Sequence, residues 1–145
     1  MPRAQTITPT EQLVQALTEK GLPCCTGFPD TPLGERGDAL FAVAAPLDIR
    51  MEAPIPLGDA LAVPAVFSLQ LRLYLPPHRE AALLHRAAAE ILLPAVFSLG
   101  WQVQELSVQE LRYENRLDRL CLPVVLRASG ILHFSADEEV PENVP

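Results

Sequence analysis

Residues 64–75 read PAVFSLQLRLYL, and their alternation decides the fold. Phe67, Leu69, Leu71, Leu73 and Leu75 take one parity, while Ser68, Gln70, Arg72 and Tyr74 take the other. Successive side chains of an extended chain point to opposite faces, so the pattern predicts a half-buried strand over about 66–75. The hexamer PAVFSL returns at 94–99 in different surroundings. There the pattern upstream is helical, and Gly100 supplies a stop. The first copy continues as QLRLYLPP and the second as GWQVQELS, and GDALAV before the first has no counterpart in AAEILL before the second. A structural repeat carries its periodicity beyond six residues. The same letters are therefore expected to serve a strand once and a helix end once.

Working outward, Pro76-Pro77 should end the strand and open a helix, PHREAALLHRAAAEILL, rich in strong helix formers. Leu84, Ala88, Ile91 and Leu92 share its apolar face, and Pro94 should kink or end it. At the N-terminus, TPTEQLVQALTEKG has the marks of a first helix. Thr8 and Glu11 fit a capping box, Pro9 sits at the first helical position, Leu13, Val14 and Leu17 form the stripe, and Gly21 ends it. Residues 22–38, with three prolines and three glycines, read as an irregular connection. A strand is expected at about 39–45, where Pro46 predicts an edge, a bulge or an early end. Residues 54–63 read as an apolar loop that either covers its own core or packs on a neighbouring subunit. After Gly100, WQVQELSVQELRY alternates with Trp101 and Val103 inward. Residues 108–113 and 119–127 read as a hairpin turning near 115–118, with a further possible strand at 130–134. The predicted fold is α+β: a mostly antiparallel sheet of about four to five strands with two helices packed on one face. Residues 1–135 should form one domain, followed by an acidic, flexible tail at 136–145.

The chain has 145 residues, of which 49% are hydrophobic and 20% charged, the composition of an ordinary globular domain. That length lets a domain bury roughly 68–70% of its unfolded surface. No apolar run reaches the roughly 18 residues that would span a membrane, and the first residues lack an apolar signal core, so export is not expected. Eleven Lys and Arg stand against 18 Asp and Glu, a net charge of −7. Gripping a phosphate backbone needs clustered positive charge, so tight nucleic-acid binding is not expected.

The search for chemistry returns little. Cys24 and Cys25 are adjacent, which disfavours a disulfide between them, and Cys121 lies in an apolar stretch as a small hydrophobe would. No CxxC or Cys/His spacing for zinc is present. His78 and His85 carry no HExxH and read as helix-surface residues, and His133 stands alone. No GxSxG precedes a helix, and no Gly-rich loop follows a strand. No catalytic residue, metal ligand or cofactor is expected. The turn of the hairpin carries Glu110, Arg112, Glu114, Arg116, Asp118 and Arg119. It is either a solvated turn or a polar subunit contact, in which charges of both signs fix register. Glu114, Arg116 and Asp118, with Leu57 and Leu61 of the apolar loop, are the candidate interface residues.

Over roughly 8–134 the order and spacing resemble the tail terminator, or tail completion, proteins of long-tailed bacteriophages and prophages. The residues that carry the likeness are the capped helix TPTEQLVQAL, the strand FSLQLRLYLPP running into REAALLHRAAAEIL, the GW at Gly100-Trp101, and LRYENRLDRLCLPVVLRASG. The Pro-rich segment 22–38 and the apolar loop 54–63 depart from the pattern. The resemblance implies a non-enzymatic virion protein, present in the host cytoplasm during assembly. It implies a ring, commonly a hexamer, on the completed tail tube, which ends polymerisation and presents the head-joining surface. Its partners would be itself, the tail tube protein and head-tail connector or neck proteins, and DNA would pass through the ring without tight binding. Another neck or minor tail protein of similar fold is the alternative; a small cytosolic enzyme or ligand-binding domain is a third. A pocket joining Cys24 or Cys25 to His78 or His133 would favour the enzyme.

Overall fold

A computed structural model describes residues 8–27 and 39–135. The expected tail at 136–145 and most of the irregular connection lie outside the described residues. The first helix, α1 (Pro9–Glu19), starts as its sequence requires. The Glu11 N–H donates to Thr8 Oγ1, and the Thr8 N–H donates to the Glu11 carboxylate at 2.9 Å, so two backbone donors at the helix start are satisfied reciprocally. Leu13 and Leu17 are fully buried beneath it, and Gly21 at φ 95° turns the chain away.

The sheet is larger than expected, with seven strands: β1 (Cys24–Thr26), β2 (Phe41–Met51), β3 (Ile55–Leu57), β4 (Ala60–Leu75), β5 (Gln102–Val108), β6 (Arg112–Glu114) and β7 (Arg119–Ser135). The order is β1-β2-β4-β7-β5, with β3 also paired to β4 and β6 to β7. Every pairing is antiparallel except that of β1 with β2. The extra strands have three origins. The short β1 lies inside the supposed irregular connection. The supposed loop 54–63 is a tight hairpin: Leu57 pairs with Ala60 across Gly58-Asp59, and Gly58 at φ 62° suits the first turn position of a type II′ hairpin. The row facing β7 on its outer side is broken at 109–111, which divides one expected strand into β5 and β6. Conversely, 119–127 and 130–134 are one continuous strand. β2 runs past Pro46 to Met51 with a bulge between Pro46 and Asp48, the edge-strand device that lets a proline sit in a ladder.

The second helical body begins later than Pro77. A turn occupies 77–81, followed by α2 (Ala82–Ala87), a π-helical turn (Ala88–Leu92) and α3 (Leu93–Ser98). Pro94 neither ends nor breaks this body. It lacks a donor and its ring crowds the carbonyl four residues back, and the π turn just before it widens the helix so that the Leu93 N–H bonds to Ala88 O instead. The two copies of PAVFSL thus differ as expected, one in β4 and one at the end of α3. Gly100, at φ 76°, reverses the chain into β5.

Both helical bodies cover one face of the sheet. Leu13, Leu17, Leu84, Leu92 and Val96 meet Phe67, Leu69, Leu71, Leu73, Val124 and Leu126 in a single core. The description of 66–75 as half-buried needs correction, since Ser68, Arg72 and Tyr74 of the other parity are also buried. β4 lies centrally in the sheet, and on this second face Phe41, Val43, Tyr74 and Cys121 form a smaller cluster against which Leu117 packs. The Phe41 and Tyr74 rings stack at 5.1 Å.

Candidate assembly surface

The expected interface residues fall at opposite ends of the sheet. Leu57 and Leu61 lie at the end where Leu61 pairs with Phe134. Glu114, Arg116 and Asp118 surround the turn at the other end, where Leu75 pairs with Leu120 and Glu114 with Arg119. Fourteen strand positions separate Leu120 from Phe134 on β7, roughly 46 Å at 3.3 Å per residue. One patch cannot contain both sets; they are two surfaces.

The turn is held together by its own side chains. The Tyr113 hydroxyl donates to Asp118 Oδ1, Arg119 Nη1 donates to the Asp118 carbonyl at 2.9 Å, and Asp118 takes a left-handed φ of 53°. That hydrogen bond raises the Tyr113 pKa above its ordinary value. Arg116 is exposed at the tip, and Glu114 is half-buried.

The other end is apolar. Among the described residues, seven of the ten exposed large hydrophobics lie on the half of the sheet that runs from the β2 bulge to this end, on both faces: Ile49, Met51 and Leu61 take the helix-side parity, Ile55, Leu57 and Ile131 the opposite one, and Leu47 sits in the bulge. Scattered exposed apolar residues need no explanation, whereas seven of ten on one half of the sheet make that end a candidate contact surface. Beside it, between the start of α1 and the helix-side face of the sheet, runs a groove of about 460 Å³. Ile49, Met51, Phe67, Leu69, Leu132 and Phe134 line it, with Thr8, Glu11 and Asp48 among its polar residues. No local sequence signal announces this groove, because its walls come from α1, β1, β2, β4 and β7. The hairpin that carries Leu57 did have a local signal, Gly58-Asp59 between alternating apolar residues.

The groups screened for catalysis are dispersed. Cys24 packs on the main core and Cys25 on the smaller cluster, so the adjacent thiols serve opposite faces of β1. His78 and His85 are exposed at the helical body, and His133 is exposed on β7, in a groove that neither Cys24 nor Cys25 lines. Burial pushes the Cys121 thiol up, against the pull of Arg112, Tyr74 and Arg72. The same burial, with Cys121 beside it, pushes the Tyr74 phenol up to about 12. Raised values hold both groups neutral, and a protonated thiol is a poor nucleophile. Among the described residues no three His, Cys, Asp or Glu side chains gather as a metal site, and no helix is long and apolar enough to cross a membrane. The chain matches no protein-family model and no curated protein sequence.

Proposed function

We propose that this chain is a structural virion protein of a long-tailed phage or prophage, a tail terminator that closes as a ring on the finished tail tube. The ring ends tube polymerisation and offers a joining surface to head-tail connector or neck proteins. Its partners are other copies of itself, in a hexamer, and the tail tube protein; it acts without a cofactor, in the host cytoplasm during assembly and then in the virion. The observation that carries this reading is the pair of unlike surfaces on one subunit, an apolar sheet end and a mixed-charge turn. A head-to-tail interface needs two different patches on each copy, and such an interface closes into a ring when its rotation divides the circle. The order of elements that resembles tail terminators supports the same reading.

The test is tail assembly in a complementation system from which the protein has been removed. Electron micrographs should show tubes of uncontrolled length, and restored protein should sit at one end of each tube. Uniform tail lengths in its complete absence would exclude a terminator and point instead to a neck or minor tail part.

A further inference from the structure

β7 is longer than the strands that cover its outer side. β6 pairs with it at 119–121 and β5 at 124–129, whereas β4 holds its inner side as far as Ser135. Gly100 reverses the chain just ahead of β5, which therefore starts opposite Ser129. Among the described residues no strand flanks the outer side of 130–135. The Gln109 N–H donates to Pro123 O, so the backbone groups of odd-numbered residues on β7 face outward. The Glu52 N–H donates to Pro64 O on the far side of β4, and Pro64 pairs with Ile131, which places Ile131 in the same outward set. Ile131, His133 and Ser135 thus present backbone donors and acceptors along an open edge. A groove of about 630 Å³ runs beside it, lined in part by Ser129, Gly130, Ile131, His133, Trp101 and Gln102.

Open edges invite added strands, and proteins guard them with prolines, bulges, charges or brevity. The other edges of this sheet are guarded. β2 has Pro46, a bulge, and then Asp48 and Arg50. β3 is three residues long with Pro56 at its centre. β5 has a bulge between Val103 and Glu105. β1 and β6 have three residues each. Residues 128–135 read ASGILHFS, with no proline, no Asp, Glu, Lys or Arg, and no register shift against β4.

We propose that 130–135 pairs with the same stretch of a second copy, antiparallel, about a two-fold axis at His133. This register sets Ile131 against Ser135 of the second copy and His133 against its own counterpart. All are outward-facing residues, so the three pairs exchange about six hydrogen bonds, two per pair. On the helix side it sets Leu132 against Phe134 twice. Both side chains pack on the main core, so the apolar layer continues across the join. A second copy suits this edge because the edge is complementary to itself. Two chains of net charge −7 can meet here with no carboxylate opposed to another. The contact is isologous and closes at two copies. It does not rest on the ring reading, and it is distinct from the head-to-tail contact that would build a ring.

The experiment uses the full chain with Cys24 and Cys25 replaced by Ser; Cys121 is fully buried and stays. Residues opposed in a hydrogen-bonded antiparallel pair lie about 5.5 Å apart at Cα, within reach of a disulfide. His133→Cys should therefore give a disulfide-linked dimer under mild oxidation. Ile131→Cys should not, because the two copies of residue 131 stand four positions out of register, roughly 13 Å at 3.3 Å per residue. Both positions are exposed, so folding should survive. In the native background, the wild type should shift from monomer to dimer with rising concentration in analytical ultracentrifugation. His133→Lys opposes two like charges at the axis, and Ile131→Pro removes an outward N–H. Each should hold the protein monomeric with unchanged circular dichroism, and His133→Lys decides the matter if Ile131→Pro does not fold. Wild-type protein that is monomeric at every concentration, cross-linking as strong at 131 as at 133, or a dimer that survives His133→Lys would each overturn the proposal. Amide exchange at Ile131 and His133 that slows only on addition of tail tube protein would assign the edge to a foreign strand and overturn it as well.

Discussion

Gly130 lies against the indole of Trp101, and a Cβ added there would come within 2.9 Å of Trp101 Cδ1. The indole has little room to yield, because it also meets Phe67 edge-on at 4.8 Å. Gly130→Ala should cost about 1–3 kcal/mol as overpacking, read as a lower urea midpoint with the same slope. An unchanged midpoint would show that the Trp101 ring moves freely. Tyr74 makes a second residue-scale test. Its phenol keeps its proton in the folded chain up to about 12, against an ordinary 10.0. A raised folded pKa means that the associated stability is full below pH 10 and is lost as the pH climbs toward 12. Cys121 is raised from 9.0 and drifts the same way, so alkaline loss should begin below pH 10. Tyr74→Phe keeps the stack on Phe41 and removes the phenol. Its stability should decline less between pH 10 and 12 than that of the wild type, and equal declines would place the alkaline sensitivity elsewhere.

At the scale of elements, α1 shows what local sequence can carry. Its cap, its proline, its stripe and its terminal glycine act within a few residues of one another, and each was legible before any tertiary contact was considered. Burial of that stripe makes Leu17→Asp a severe change. Leu17 is wholly buried against the sheet, and an unpaired carboxylate there should cost at least about 3 kcal/mol. The expected result is insoluble or non-cooperatively unfolding protein; a soluble variant with a normal transition would show that α1 does not rest on the sheet through this residue. β1 shows the opposite case. Cys24–Thr26 is a strand because Ala42–Ala44 lie alongside it, and nothing within Pro23-Cys24-Cys25 distinguishes it from a turn-rich connection. The π turn is similar: Pro94 signalled an interruption, but whether the chain stops or absorbs it depends on the buried Leu92, Ala95 and Val96, which hold both sides of the turn on the sheet. The apolar end of the sheet was half visible. Leu57 and Leu61 were marked by their hydrophobicity in a supposed loop, but the groove is assembled from five segments distant in sequence and has no local sequence pattern.

For the molecule as a whole, the question is whether its arginines could grip DNA despite the net charge of −7. Strand parity places Arg50, Arg72, Arg112, Arg119 and Arg127 on the face of the sheet opposite the helices. Such a grouping would matter if the guanidinium groups were available. Most are engaged within the chain. Arg72 is buried, Arg127 donates to Ser68 Oγ at 2.9 Å, Arg119 is spent on its own turn, and Arg50 stands 3.6 Å from Glu52. Glu105 and Glu114 share the same parity by pairing with Arg127 and Arg119, so the face alternates in sign instead of forming a basic stripe. Phosphate binding draws its strength from released counterions, one per neutralised phosphate, and an alternating face releases few. Duplex DNA should therefore show no measurable binding at physiological salt in a fluorescence-anisotropy titration, as the proposed ring around sliding DNA would require. Micromolar binding with a steep salt dependence would overturn this. Arg116 tests whether the turn serves as a contact. It is exposed at the turn and makes little difference to folding, so Arg116→Glu should leave the unfolding midpoint within about 0.5 kcal/mol of wild type. If the turn contributes to the subunit contact, the same change should weaken association, most of all in low salt, where its charges are least screened. Equal association at every salt concentration would remove the turn from the interface and leave the apolar end of the sheet to hold the ring.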